Sequence, residues 1–222
     1  MNMVAPPPRY DEWIDFYFFR DVTDPWQMEW EFEADADTKA VLFAETLTRC
    51  GTDLKNCTDD QLATGLKAIW LGDLSNTPHD ICKSSDSSKR SAIQSFKTLY
   101  SDLLTPRSPP VLGHLNESDG SPLEYITYMA WDVSPMTCLT GLKVKSGNQS
   151  FLVETMAHVL ASAPANPAVL ESILHGLGHL AGEHPKHQQQ IAGAIDQFLT
   201  SRPIVRQELK LYAHAANEGR VQ

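Results

Sequence analysis

Apolar residues recur in this chain at helical intervals, most regularly in its last third. Pro167, Pro185 and Pro203 stand 18 residues apart, and each is followed by a proline-free stretch. Proline suits a first helical turn, where its missing N–H would have no partner anyway. Six residues after each proline come Ile173, Ile191 and Leu209; ten after, Leu177, Ile195 and Ala213; thirteen after, Leu180, Phe198 and Ala216. Offsets of 6, 10 and 13 describe one stripe of a helix, so three equivalent helices stacked side by side are predicted.

Upstream, start signals place further helices. Ala40, Phe43, Ala44 and Leu47 follow a start near Asp37. Thr58 and Gln61 form a capping box ahead of Leu62, Leu66, Ile69 and Trp70, and Ser121 with Glu124 forms another ahead of Ile126. A helix from about Ser87 carries Ile93, Phe96, Tyr100 and Leu103; one around Phe151 carries Met156 and Val159; Asn166-Pro167 caps the next. The polar or Pro/Gly-rich stretches 73–87, 105–121 and 132–149 read as linkers. The expectation is an all-α chain of about eight helices, less regular over 38–148 and regular over 149–217.

Residues 1–37 differ. From Trp26 to Asp37 apolar and polar residues alternate strictly, the signature of an extended segment with one buried face. Residues 14–22 are its candidate hairpin partner across Thr23-Asp24-Pro25. An extended or hairpin-like acidic-aromatic arm packed on a helical domain (38–222) is therefore predicted.

The segment Ser172-Ile173-Leu174-His175-Gly176-Leu177-Gly178-His179-Leu180 resembles the A-L-G-x-L-G core of HEAT-like repeats. The resemblance is strongest over 150–217. It implies an α-solenoid, a right-handed superhelical array, and a scaffold that binds partners on a concave face. The stretch Tyr128-Met129-Ala130-Trp131-Asp132-Val133-Ser134-Pro135 is also similar to segments of bacterial proteins.

Net charge is −10, and residues 1–60 carry 14 acids against five bases. That balance argues against a nucleic-acid binder, which needs clustered Lys and Arg. Trp26, Glu29, Trp30, Glu31, Glu33 and Asp35 are candidates for engaging a basic protein partner, or for plugging an open end of the helical stack. Tyr128, Trp131 and Asp132 either line a pocket or belong to the core and a turn. No apolar run approaches the ~20 residues of a membrane span, and the N-terminus lacks a basic flank and an apolar segment, so no membrane or signal peptide is expected. Four scattered cysteines suggest a reduced, cytoplasmic chain.

No P-loop, GxSxG or GxGxxG-after-strand motif is present, and no cofactor is expected. The candidate chemistry is a histidine cluster: His175 and His179 at i, i+4, with His184 and His187 at the next corner. Two imidazoles at that spacing can chelate a metal, completed by His184, His187 or a distant carboxylate, or can line a polar helix contact. Gly176 follows His175, so the HExxH arrangement with its glutamate base is absent. A non-enzymatic binding module and a metal-dependent enzyme are the two readings that result.

Overall fold

The computed structural model describes residues 5–20, 30–135, 148–201 and 206–221. These residues are all-helical, with no strand among them. Helix α1 (Tyr10–Ile14) runs on into a π-helical turn (Asp15–Phe19). It is followed by α2 (Ala36–Asp53), α3 (Asp59–Trp70), the short α4 (Thr77–Ile81) and α5 (Asp86–Thr98). Helix α5 continues through a π-helical stretch (Leu99–Leu104). Then come α6 (Leu123–Tyr128), α7 (Asn148–Ser162), α8 (Pro167–Glu183), α9 (Gln188–Ser201) and α10 (Gln207–Asn217).

The helices pair in two rows. In one, α2 packs on α5, α5 on α7, and α7 on α9. In the other, the π-turn after α1 packs on α3, α3 on α6, α6 on α8, and α8 on α10. One buried apolar cluster runs through both, from Tyr10 to Ala216.

Local chemistry explains the helix starts. The capping box of α3 is complete: the Gln61 N–H donates to Thr58 Oγ1 at 3.1 Å, and the Thr58 N–H to Gln61 Oε1 at 2.9 Å. Asp35 accepts the Thr38 N–H at 3.0 Å and Asn166 that of Ala168 at 3.0 Å, with Pro167 in the first turn of α8. Pro185 opens a 3-10 turn (Pro185–His187) that leads into α9; Pro203 lies outside the described residues. The 18-residue stripe is buried at Ile173, Leu177, Ile191, Ile195, Phe198, Leu209, Ala213 and Ala216, with Leu180 packed partly against it. Gly178 lets α8 and α10 close up: a Cβ there would sit 2.6 Å from Val221 and 3.1 Å from the Ala216 Cα.

Three expectations are corrected. Residues 10–19 are helical, so they are not the strand of a hairpin with residues 30–34. Their buried residues, Tyr10, Trp13, Ile14, Tyr17 and Phe18, fall at i, i+3, i+4, i+7 and i+8, a helical stripe hidden within a dense aromatic run. The alternation does persist at 30–35, where Trp30 and Phe32 are buried in a stretch outside any helix, but no strand partner meets it among the described residues. The expected linker 73–87 contains α4. Cys82 is disulfide-bonded, so the cysteines are not all reduced; Cys50 and Cys57 are free and buried.

Candidate metal centre and its cavity

On α8, whose remaining residues apart from Ser172 are apolar, four polar residues come at intervals of four: Glu171, His175, His179 and Glu183. That spacing stacks them into one ridge along the helix. The ridge meets α6, the turn after it, and α10.

At its N-terminal end the Glu171 carboxylate is buried, and a buried carboxylate must find donors. It accepts the Gly113 N–H at 2.7 Å and the His114 N–H at 3.1 Å, and also contacts His114 Nδ1. A carboxylate only accepts, so that Nδ1 carries the proton. The His114 ring stacks on Tyr212, with centroids 4.4 Å apart.

In the middle, His175 is buried, 2% exposed, and both ring nitrogens are engaged. Nδ1 lies 2.7 Å from the Tyr212 hydroxyl and Nε2 lies 2.8 Å from Asp132 Oδ2. Tyr212 in turn shares a 3.2 Å hydrogen bond with Tyr128. Burial raises the pKa of Tyr212, and the Tyr128 contact adds to it; burial likewise raises that of Tyr128. Both phenols therefore stay protonated and available as donors. Asp132 sits in the turn after α6, fixed by its N–H to the Met129 carbonyl at 3.0 Å.

At the outer end, His179 is partly exposed and its Nε2 stands 3.3 Å from the same Asp132 oxygen. The His175 and His179 rings meet edge-on, with centroids 4.7 Å apart. One ligand atom each from Asp132, His175 and His179 all lie within 4.8 Å of one another. This group opens on a cavity of about 260 Å³, lined by Asp132, His179 and Glu183 and walled by Trp131, Leu152, Met156 and Leu180.

Of the four histidines singled out by sequence, the fold brings together His175 and His179. The distant carboxylate is Asp132. His184 lies 4.0 Å from Glu183, outside the group. His187 is buried in its 3-10 turn; its Nε2 meets no hydrogen-bond partner among the described residues, and burial, aided by Lys186, pushes its pKa down.

Of the arm residues, Trp26 and Glu29 lie outside the described residues. Trp30 is buried, stacked on Tyr17. Glu31 pairs with the buried Lys39 at 2.8 Å and accepts the Asn76 N–H. The Glu33 carbonyl accepts from Arg9, and Asp35 caps α2. Tyr128 joins the chain to His175, whereas Trp131 forms a wall of the cavity. Sequence reasoning missed Glu171, His114 and Tyr212. The four-residue spacing on α8 is a local signal for Glu171; Tyr212 has none, because 37 residues separate it from His175.

Comparison with known proteins finds no matching family model and no similar curated protein or solved structure.

Proposed function

We propose that this chain is a HEAT-like helical repeat protein that holds one divalent metal ion with Asp132, His175 and His179 and acts as a metal-dependent enzyme on small molecules entering the adjoining cavity. The observation that carries this reading is the convergence of three ligand atoms at the mouth of that cavity. Ligands about 2.0–2.1 Å from one metal stand roughly 3.0–3.4 Å apart, depending on the angle between them. The separations from Asp132 Oδ2, 2.8 Å and 3.3 Å, fall close to this range.

Two imidazoles and one carboxylate suit zinc, iron or manganese. Three protein ligands are the pattern of catalytic sites, which keep a position open for water or substrate. A metal there would polarise a bound oxygen or activate water. The chain's own residues supply the rest: Tyr212 orients His175, and Glu183, the other carboxylate lining the cavity, is placed to take up a proton. The two-row helix pairing and the buried 18-residue stripe support the repeat reading of the scaffold. The acids of the arm serve the fold: Glu31 neutralises Lys39, Asp35 caps α2, and Asp37 accepts from Ser85 and Ser88 at the start of α5.

The test is equilibrium dialysis of the chelator-washed protein against zinc, manganese and ferrous iron, followed by elemental analysis. One ion per chain is expected, lost in Asp132→Ala and in the His175→Ala/His179→Ala double variant. Absence of stoichiometric binding of all three metals overturns the proposal.

A further inference from the structure

Two of the cavities among the described residues border the α8 ridge. In the second, about 300 Å³, the carboxylates are already engaged: Glu117 by Arg206, Glu124 by loop N–H groups, Glu171 by His114. The cavity beside Asp132 is different in kind. Its wall is apolar, and its polar groups gather at the metal-ligating end and at Glu183.

We propose that this cavity takes a small, uncharged, largely apolar molecule bearing one donor heteroatom. The apolar body rests on Trp131, Leu152, Met156 and Leu180, and the heteroatom points at the Asp132–His179 end. This inference rests on the metal reading above and names the substrate class of the same site.

Three features converge on it. At about 260 Å³ the cavity lies at or below the small end of ligand pockets, which run roughly 300–1,000 Å³. Its wall is rigid: the Trp131 ring stacks on Tyr100 at 5.5 Å and packs on Phe96 at 4.8 Å. Gly176 beneath it has no room for a side chain, since a Cβ would sit 2.6 Å from both Met156 and Trp131. Finally, no lysine or arginine among the described residues lines the cavity, whereas Asp132 and Glu183 do. Phosphate or carboxylate head groups would find no basic side chain among the described lining residues to pair with. A bound dication balances the two carboxylates, which leaves no net charge to attract a cationic ligand.

The experiment measures dissociation constants of imidazole, 4-phenylimidazole, benzylamine and phenylphosphonate for the full chain, with metal content assayed on the same samples. In metal-loaded protein 4-phenylimidazole should bind at least about tenfold more tightly than imidazole, from burial of its ring. Benzylamine and phenylphosphonate should bind more weakly than 4-phenylimidazole. Leu180→Trp, which fills the cavity, should erase the phenyl advantage while metal stoichiometry stays at the wild-type value. Leu180→Ser, which removes part of the wall, replaces it if the tryptophan variant does not fold. Metal-loaded protein with no phenyl preference, or with phenylphosphonate bound most tightly, overturns this inference and leaves the metal reading standing. Metal-free protein that prefers 4-phenylimidazole keeps the cavity inference and overturns the metal reading. Metal-free protein that prefers benzylamine overturns both.

Discussion

Tyr212 decides what His175 can do. In a neutral His175 whose Nε2 donates to Asp132, Nδ1 accepts from Tyr212, and Tyr212 then accepts from Tyr128. Coordination of a cation at Nε2 requires the lone pair there, which moves the ring proton to Nδ1 and turns Tyr212 into its acceptor. A hydroxyl serves in both roles; no other side chain within hydrogen-bond distance of that nitrogen is found among the described residues. Tyr212→Phe keeps the ring stacked on His114 but strands Nδ1. Metal affinity should fall about 10–100-fold, the usual effect of losing such an outer-shell partner. Titration of both proteins with zinc checks this, and equal affinities would show that the hydroxyl does not tune the site. At this scale the sequence spoke clearly where partners are close along the chain. His175 and His179 are one helical turn apart, so their convergence is legible. Asp132 and Tyr212 lie 43 and 37 residues from His175, and only the packing of α6, α8 and α10 brings them together.

Among the elements, α6 depends on a single carboxylate. The expected capping box at Ser121 is half made: Glu124 accepts the Ser121 N–H at 3.2 Å, while the Ser121 hydroxyl takes the Leu123 N–H at 3.3 Å. Glu124 also collects the Ser118 hydroxyl and the N–H groups of Asp119 and Gly120. These donors, the Ser118 hydroxyl first, outweigh partial burial and hold the Glu124 pKa down at about 2, from an ordinary 4.5. A depressed carboxylate stabilises the fold above its unfolded pKa, and that contribution is lost as pH falls through the folded value. The stability gap between wild type and Glu124→Gln should therefore be full above pH 4.5 and close progressively towards about pH 2. Urea unfolding at several pH values measures it; a gap that does not change with pH would assign the brace to shape instead of charge. The starts of α2, α3, α5 and α8 are legible in the sequence because a cap needs only residues within one turn. Helix α1 is not legible because its aromatic-rich stretch supports a strand as readily as a helix, and only the contact of α1 with α2 and of its π-helical turn with α3 selects between them.

Over the whole molecule the N-terminal segment belongs to the core. Trp13 is fully buried, donates its indole N–H to Thr46 at 3.0 Å, and packs edge-on with Tyr17 and Phe32. Lys39 ties the segment down through Glu31 and Asp80, at 2.8 Å and 2.7 Å. Burial alone would lower the Lys39 pKa, but the hydrogen bonds it donates to Asp80 and Glu31 prevail and raise it. Trp13→Ala should cost about 3–5 kcal/mol, as large core truncations do. Metal stoichiometry of the folded fraction should stay unchanged, since Trp13 has no part in the Asp132 cluster. Denaturant unfolding and dialysis together check this; a loss below about 1 kcal/mol would mark the segment as an appendage.

The sequence by itself determined the helical class, most helix starts, the buried stripe of the last three helices and the pairing of His175 with His179. Each depends on spacing within a few turns, where side-chain direction follows from backbone periodicity. Tertiary structure alone decided that α1 is a helix, that Asp132 and not His184 or His187 completes the cluster, that Tyr212 supports it, and that a cavity opens beside it. Those outcomes depend on which helix faces meet across the two rows, and that meeting is settled by packing many side chains at once.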